Sequence, residues 1–379
     1  MKRVLSKIIL KVIPHRVIRA LRKRVNINYL FFGAAVKNVG SYLVQDEQVP
    51  YSLYNMEADL GQVVTNGFLA CVEDYKLHPG LVRKYIVSVE DCVIEPVRGW
   101  GITNKNQLVF DSISNNSWRE SYHPDYFKYK ANKKKAISLE EVVSINMING
   151  GEDNYWHFLH DLLGEVTLAL QYIPRKVPFL ISKNLSDKSF FKQAILQSPR
   201  LASLQWIVRD HHYYKARKAW FIQTMPSSNE QFFNIQALLQ VPDASALQAG
   251  RKVFLTRSRK RIRFLKNSVE LEAIAQNHGY EVIDTDGLSL QEQIKLFSET
   301  KWLIGIHGAG LTNVLYRKNA PMKVLELLPA DYLQPHYFWL SKGMGHEYTC
   351  ILGSTSAIDT SFEVSPQDFE HKLRSFCNV

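Results

Sequence analysis

Strand-like and helix-like segments alternate regularly after residue 250, and this constrains the fold more than any other feature of the 379-residue chain. Short apolar runs predict strands, and amphipathic runs with a capping serine or a terminal glycine predict helices between them. Such alternation indicates a parallel sheet with right-handed crossovers, which binds ligands at the carboxyl ends of its strands. The predicted strands are 251–257, 280–285, 301–307, 322–327 and 348–352, and the predicted helices are 269–279, 289–300 and 365–376.

The chain before residue 250 is predicted to be richer in β-structure. Strands at 85–97 and 107–113 flank a turn-rich stretch, which suggests hairpins. Because 379 residues exceed what one core usually holds, two domains are expected. The other predictions for this part are an exposed loop at 132–136, strands at 141–147, 177–182 and 218–224, a helix from Asn154 to about Tyr172, and a linker at 241–250.

The net charge of +11 is concentrated in one segment. Residues 1–45 hold ten lysines and arginines and no acidic residue, so the rest of the chain is almost neutral. This distribution argues against a nucleic-acid-binding surface. Read as a helix, residues 1–24 are amphipathic up to Pro14, and they suit either an anionic membrane surface or packing on the protein's own core.

Mean hydropathy and cysteine spacing indicate where in the cell the chain works. The mean hydropathy is −0.19, and the absence of a long apolar run argues against a membrane span. Four cysteines lie far apart without CxxC spacing, which fits a reducing compartment and gives no support for a zinc site. The predicted localisation is cytoplasmic, peripheral at the inner face of the plasma membrane.

The first candidate site is the segment GIHGAGLTN, residues 305–313, where a predicted strand runs into a helix through small residues. Amide donors at a helix start suit a phosphate or a pyrophosphate. His307 can donate to a phosphate oxygen, Thr312 and Asn313 add hydrogen-bonding groups, and Glu326 after the next strand suits ribose hydroxyls. A glycine-lined packing contact without a ligand is the alternative. The glycine order GxxGxG differs from the nicotinamide fingerprint.

A basic stretch, LTRSRKRIRFLKN at 255–267, follows the first strand of this half. A guanidinium near a pyrophosphate would neutralise the charge that builds up as a nucleotide leaves. A solvated loop and an RNA-binding patch are the alternatives, although the stretch has only one aromatic residue.

The third candidate is NYWHFLHDLLGE, residues 154–165. On a helix, Asn154, His157 and Asp161 share one stripe, with Asn154 as a cap. His157 and Asp161 could form a pair that removes a proton from a hydroxyl. A structural His–Asp contact and a metal site using His160 and Asp153 remain as alternatives, the metal site without strict ligand spacing.

These segments occur in the order and spacing of one family: NYWHF with Asp161, the basic stretch, IGIHGAGLTNVLY at 304–316, and VLEL at 324–327. Over roughly residues 85–350 the chain resembles glycosyltransferase family 61, which includes bacterial capsular-polysaccharide enzymes and eukaryotic protein O-linked sugar transferases. The resemblance implies an α/β, GT-B-like fold with two Rossmann-like domains facing a cleft. It also implies a nucleotide-sugar donor on the C-terminal domain and inversion at the anomeric carbon.

Together with the charge distribution and the predicted linker, this resemblance predicts a basic arm (1–48), a β-rich N-terminal acceptor-side domain (49–245), a donor-binding domain (246–362) and a C-terminal helix (363–379). The resemblance also implies two groups of site residues. The catalytic group is Asp161, His157 and Asn154, and the expected base is Asp161, alone or through His157, with Glu152 and Asp153 in reserve. The donor-binding group is Arg257, Arg261, Arg263, His307, Gly308, Ala309, Gly310, Thr312, Asn313 and Glu326.

The expected reaction is transfer of a hexosyl or pentosyl group from a nucleotide-diphosphate sugar to a hydroxyl of a glycan acceptor, including a lipid-linked one. Capsule, exopolysaccharide or lipopolysaccharide assembly is the expected setting. No cofactor and no metal are predicted, because protein cations can assist the departing diphosphate. Two rival functions are a non-catalytic nucleotide-sugar-binding subunit of a polysaccharide assembly complex and a nicotinamide-dependent oxidoreductase.

Overall fold

The computed structural model describes residues 32, 35–37, 39–46, 60–76, 84–113, 124–146, 153–224, 229–247, 250–258, 262–357 and 360–377. The predicted arm at 1–24, Glu152 and Arg261 lie outside these residues. No helix in the described part of the chain combines the length and hydropathy that crossing a bilayer requires.

Twelve strands and twelve α-helices lie within the described ranges. The strands are β1 Ser41–Asp46, β2 Lys84–Ile94, β3 Gly101–Ile102, β4 Ile137–Ser144, β5 Phe179–Ser182, β6 Trp206–Arg209, β7 Tyr214–Gln223, β8 Arg251–Leu255, β9 Glu281–Ile283, β10 Thr300–Ile306, β11 Lys323–Leu328 and β12 Glu347–Leu352. The helices are α1 Gln62–Lys76, α2 Tyr126–Asn132, α3 Tyr155–His157, α4 Leu163–Tyr172, α5 Lys183–Asp187, α6 Ser189–Gln197, α7 Pro199–Ala202, α8 Asn229–Leu238, α9 Ser268–Asn277, α10 Leu290–Glu299, α11 His336–Gly343 and α12 Pro366–Cys377.

The second half of the chain, from residue 250, forms the parallel α/β sheet that its alternating pattern predicts. Its five strands lie in the order β12-β11-β10-β8-β9, and every neighbouring pair is parallel. The predicted cap of α10 is confirmed, because the Ser289 side chain accepts from the Glu292 backbone in a complete capping box. In this sheet β8 has β9 on one side and β10 on the other, so the strand order reverses between β8 and β10.

The first half, up to residue 247, forms a mixed sheet. Strands β7, β4, β5 and β6 are parallel neighbours, whereas β2 pairs antiparallel with β1, β3 and β7. A Rossmann-like domain was expected in this half too, but only the part of the sheet formed by β7, β4, β5 and β6 has the parallel arrangement of such a domain. The two sheets lie on either side of the predicted boundary near residue 245, since β7 ends at Gln223 and β8 begins at Arg251.

Three local predictions are wrong. Residues 107–113 do not form a strand. Leu108 and Val109 make only isolated β-bridges, and Phe110–Ser112 form a 3₁₀ turn. The expected loop at 132–136 is helical, because Asp125 caps α2 and the chain continues into a 3₁₀ turn at Lys133–Lys135. The helix expected after residue 308 is a 3₁₀ helix, Ala309–Tyr316, so an α-helical dipole does not underlie the candidate phosphate site.

One continuous apolar core joins the two halves. It runs from Leu60, just before α1, to Tyr348 on β12 and contains side chains from both sheets and the helices between them. Helix α1 of the first half packs on α11 of the second, where the Phe68 and Phe338 ring centroids are 5.9 Å apart. Gly67 permits this approach, since a Cβ there would lie 2.4 Å from Leu333. This packing positions α11 at the edge of the space between the sheets.

Candidate functional site

A cavity of about 1150 Å³ lies between the two halves. The first half contributes residues of α3, the turn after it and α6, and the second half contributes the segments after β8, β9 and β10 with α10 and α11. The carboxyl ends of the parallel strands β8, β9 and β10 therefore face the cavity, as the alternating pattern predicts.

Arg257 and His307 meet at the point where the strand order of the second sheet reverses. Arg257 follows β8 and His307 follows β10, and the Arg257 Nη1 donates to the His307 carbonyl at 3.0 Å. Gly308 makes this contact possible, because a Cβ at that position would lie 1.6 Å from the same Nη1. Ligands of open parallel sheets bind at such reversals, so a guanidinium is held where a ligand is expected.

The other donor-side residues divide between the cavity and the core. Ala309, Gly310 and Arg263 line the cavity, and the Arg263 guanidinium lies 4.8 Å from the centre of the Tyr332 ring. Thr312 and Asn313, predicted as phosphate contacts, are buried and do not line it. The 3₁₀ geometry turns them inward, where the Thr312 hydroxyl donates to the Ala309 carbonyl at 2.6 Å.

Asn313 instead belongs to a contact between the halves. Its Oδ1 accepts from the Tyr155 hydroxyl at 3.2 Å, and its Nδ2 donates to Gln293 at 3.0 Å. The Tyr155 and Tyr316 hydroxyls are 2.7 Å apart. The two most distinctive motifs of the sequence thus touch each other through Tyr155 and Asn313.

Glu326 does not reach the cavity, so the expected ribose contact is wrong. Its side chain is fully buried, its Oε1 lies 2.5 Å from the His307 Nδ1, and its Oε2 accepts from the Tyr348 hydroxyl. The His307 ring lines the cavity. A buried carboxylate requires such partners, and Glu326 therefore acts through His307.

On the opposite wall, Asp161 accepts from two imidazoles. The His157 Nδ1 lies 2.7 Å from Asp161 Oδ2, which confirms the predicted i, i+4 contact, and the His160 Nδ1 lies 2.8 Å from Oδ1. Burial alone would raise the pKa of Asp161, but the charges and hydrogen bonds of His157 and His160 hold that pKa well below its usual range. Both carboxylate oxygens are engaged, so Asp161 is not placed to take a proton from a substrate directly.

All three side chains of this group line the cavity, and His157 is the most exposed of them, with about a quarter of its side chain exposed. Burial would lower the pKa of His157, but the charge of Asp161 and its hydrogen bond outweigh burial and raise that pKa. Asn154 caps α3 as predicted, since its side chain accepts from the Trp156 backbone at 2.9 Å. Asp153 lies at the rim, exposed and paired with Lys188.

The helix predicted from Asn154 contains a π turn at Phe158–Leu162, which includes His160 and Asp161. Trp156 stacks on the His160 ring with centroids 4.5 Å apart, and Gln231 donates to the His160 carbonyl at 2.5 Å. Single π turns occur mostly at functional sites in helices. The 3.6-residue pattern of the sequence gives no sign of this turn.

Three cavity-lining features were missed by the sequence analysis. His336 begins α11, and burial, helped by His307, His160 and His157, lowers the pKa of His336 to about 3, so its imidazole is neutral. Tyr332 follows β11 and is the ring beneath Arg263. Asp284 and Asp286, two residues apart after β9, also line the cavity and were overlooked as ligand candidates, although their spacing is plain in the sequence.

A second set of metal-ligand residues lies outside the cavity. The ligand atoms of Asp210, His211 and His212 are within 4.8 Å of one another. Two of the three side chains are largely exposed to solvent, and the His212 Nδ1 is hydrogen-bonded to Asp210. This cluster shares no residue with the cavity.

A known family model matches this same part of the chain. Residues 155–324, from α3 to β11, match the family model Glycosyltransferase 61. A 64-residue stretch is 36% identical to the beta-1,2-xylosyltransferase RCN11 of Oryza sativa subsp. japonica, covering 17% of this chain and 12% of the rice protein. Both findings support glycosyltransferase family 61.

Two solved structures of one bacterial protein are also similar in part. The iron-containing dodecameric glycosyltransferase TibC from enterotoxigenic E. coli H10407 is 14% identical, with a TM-score of 0.29, over 53% of this chain and 62% of TibC. The dodecameric iron-containing heptosyltransferase TibC with ADP-D-beta-D-heptose is 14% identical, with a TM-score of 0.28, over 60% and 62% of the two chains. These TM-scores are too low for the likeness to support a conclusion.

Proposed function

We propose that this protein is a family 61 glycosyltransferase that moves a sugar from a nucleotide-diphosphate sugar to a hydroxyl of a glycan acceptor, with inversion. The family match covers both walls of the cavity, since it begins at α3 and ends within β11. The observation that carries the proposal is the pairing of Arg257 with the His307–Gly308 turn at the strand-order reversal, across the cavity from His157.

The donor diphosphate fits against Arg257, Arg263 and the turn at His307–Gly310. Two guanidiniums line this end of the cavity, and charge-assisted hydrogen bonds to phosphate are the strong class. As the bond from the anomeric carbon to the phosphate oxygen breaks, negative charge grows on the diphosphate. Cations held in place before the reaction stabilise that charge without reorganisation.

The acceptor hydroxyl is activated from the opposite wall by His157. Asp161 fixes the ring through Nδ1, which leaves Nε2 to take the proton, and His160 fixes Asp161 in turn. The hydroxyl oxygen attacks the anomeric carbon from the face opposite the nucleotide, which inverts the configuration. The base is thus His157, oriented by Asp161, and Asn154 supports it by starting the helix.

Metal independence remains part of the proposal. The arginines supply positive charge at the donor end, and the Asp284 side chain accepts from the Asp286 backbone at 2.9 Å within its own loop. Retained transfer after exhaustive chelation, unaffected by added Mg²⁺ or Mn²⁺, would support this part. Activity restored only by a divalent ion, and lost in Asp284→Asn, would contradict it.

We propose that the acceptor is anchored in the membrane and belongs to capsule, exopolysaccharide or lipopolysaccharide assembly. This would explain the basic segment 1–24. A cationic amphipathic segment holds an enzyme at an anionic leaflet, where lipid-linked glycans are exposed. The proposed location is therefore cytoplasmic, at the inner face of the plasma membrane, with a nucleotide-sugar donor and a glycan acceptor as partners.

A two-stage experiment tests the function. A thermal-shift screen of nucleotide sugars and free nucleotides identifies the donor, because a ligand of the folded state raises the melting temperature by mass action. Transfer or slow hydrolysis is then measured with the sugar that binds. Arg257→Ala should abolish most turnover, whereas Arg217→Ala, an exposed arginine paired with Glu140, should not. Binding without transfer or hydrolysis would favour a non-catalytic subunit.

A further inference from the structure

We infer that His307 and Glu326 form an acid pair that protonates the departing diphosphate, with Tyr348 holding the carboxylate in place. The inference rests on the proposed function, since it assigns the second half of the same transfer. The cavity then has one carboxylate–imidazole pair on each wall: His157 with Asp161 for the acceptor, and His307 with Glu326 for the leaving group.

Glu326 is positioned by three neighbouring strands. On β11 it lies in register with Gly305 of β10 and Cys350 of β12, and no part of it is exposed. One carboxylate oxygen accepts from the His307 Nδ1 and the other from the Tyr348 hydroxyl. Burial and the charge of Glu326 raise the pKa of Tyr348 well above its usual range, so Tyr348 remains a hydroxyl donor.

The His307 ring has one nitrogen left for a ligand. Nδ1 faces Glu326, the backbone N–H donates to the Leu327 carbonyl at 3.0 Å, and the carbonyl accepts from Arg257. Within the described residues, Nε2 has no hydrogen-bond partner, and the ring lines the cavity beside Arg257. Nε2 therefore points to the place proposed for the diphosphate.

The charges around His307 link its protonation to the ligand. Two arginines, Arg257 and Arg263, oppose a further positive charge, and Glu326 favours one. The other titratable neighbours are His336, which burial keeps neutral, and Tyr332 and Tyr337, whose ring centroids lie 5.3 and 5.2 Å from His307. A bound diphosphate adds negative charge and tips this balance. His307 therefore takes up a proton as the diphosphate binds.

The proton balance of the transfer closes. The acceptor hydroxyl gives its proton to the His157 Nε2 as its oxygen bonds to the anomeric carbon. The bond from that carbon to the phosphate oxygen breaks with its electron pair on the oxygen, which receives the proton from the His307 Nε2. Exchange with solvent then restores both rings. His307 is a catalytic residue in this scheme, and Glu326 and Tyr348 are positioning residues.

Isothermal titration calorimetry of the full chain tests the inference. Uridine, guanosine, cytidine and adenosine diphosphates are titrated in turn at about pH 8, where an ordinary histidine is mostly neutral. Repeating the titration in buffers of different ionisation enthalpy counts the protons taken up per ligand. We expect close to one proton in the unaltered protein and in the control His278→Gln, a histidine at the end of α9 outside the cavity.

His307→Gln should abolish the uptake, and Glu326→Gln should reduce it by more than half and weaken diphosphate binding about tenfold. Both variants should lower kcat by about 10²-fold or more, the usual contribution of a positioned acid, with less effect on KM. Tyr348→Phe should keep the proton uptake while lowering the affinity for the diphosphate only a few-fold. This variant tests the inference if Glu326→Gln does not fold.

Three results would overturn the inference. Tight diphosphate binding without proton uptake in the unaltered protein would remove the acid role but leave the glycosyltransferase proposal standing. The same holds if Glu326→Gln folds and retains the full uptake. Failure to bind any of the four diphosphates would overturn both proposals.

Discussion

Substitution of Gly308 by alanine is the sharpest test of the donor site, because it moves a guanidinium without removing it. A Cβ at Gly308 would lie 1.6 Å from the Arg257 Nη1 and 2.7 Å from its Cζ. Ordinary contact between such atoms needs roughly 3.5 Å, so the guanidinium must move by about 2 Å. The backbone at Gly308 is extended, with φ at 165°, and any residue can adopt it.

The expected loss follows from that displacement. Misplacing a catalytic group by 1 Å can cost about 10²-fold. Removing one donor that stabilises a developing charge costs about 10²–10³-fold in kcat. We therefore expect Gly308→Ala to lower kcat by about 10²–10³-fold. Stability should change little, because the obstructing atoms are the far end of a flexible side chain and the hydrogen bond to the His307 carbonyl is one contact.

The assay is steady-state transfer or hydrolysis with the donor found by thermal shift, alongside a melting curve for each variant. Gly287→Ala is the matched control: this glycine also lines the cavity, but a Cβ there meets nothing within 4 Å. The double variant with Arg257→Ala should be no worse than Arg257→Ala alone, since both changes remove one interaction. Near-normal turnover in Gly308→Ala, or multiplicative losses in the double variant, would refute the placement of Arg257 at the phosphates.

Three further outcomes are expected. The rise of kcat/KM with pH should be centred above pH 6.5, the ordinary histidine value, because the base must be neutral and the pKa of His157 is raised. In Asp161→Asn, any rise that survives should move to lower pH, because the carboxylate that raises the pKa of His157 is gone. A rise centred below about pH 6 in the unaltered protein would exclude His157 as the base. Tyr155→Phe should lower the free energy of unfolding by about 1–3 kcal/mol, because Asn313 and Tyr316 lose a hydrogen-bond partner. An unchanged melting temperature would contradict this contact between the halves. Deleting residues 2–24 should remove binding to anionic vesicles but not to the donor, and unchanged sedimentation with vesicles would remove the membrane role.

Periodicity was sufficient for the second sheet, since each predicted strand there overlaps an observed one and Ser289 caps α10 as expected. It was not sufficient for the first sheet, where β2 pairs antiparallel with β7 from Ile94 opposite Tyr214 onward. The sequence between these two strands contains no pattern that predicts this pairing or its register. Long-range pairing of this kind depends on tertiary packing that a local pattern does not contain. The π turn was missed for a related reason, because one of its contacts is long-range: Gln231 on α8 donates to the His160 carbonyl within the turn.

The motifs identified segments that line the cavity, but not which of their residues face it. In GIHGAGLTN, His307 and Gly310 line the cavity, whereas Thr312 and Asn313 turn into the protein. Glu326 likewise stands at the expected end of its strand, but the parallel register directs it to His307. Polar residues that serve the fold and polar residues that meet a ligand look alike in sequence, and only their partners separate them.

The contact between Tyr155 and Asn313 gives a physical reason why the two motifs occur together. One end of this contact lies two residues before His157, and the other lies six residues after His307. A base on one wall and a leaving-group site on the other must keep a fixed separation, since direct displacement needs the attacking oxygen, the anomeric carbon and the leaving oxygen in line. The hydrogen bond adds a directional contact to the apolar core that joins the two halves, and it lies close to both imidazoles. In the proposed mechanism, the inward-facing part of GIHGAGLTN therefore contributes by fixing the geometry of the cavity.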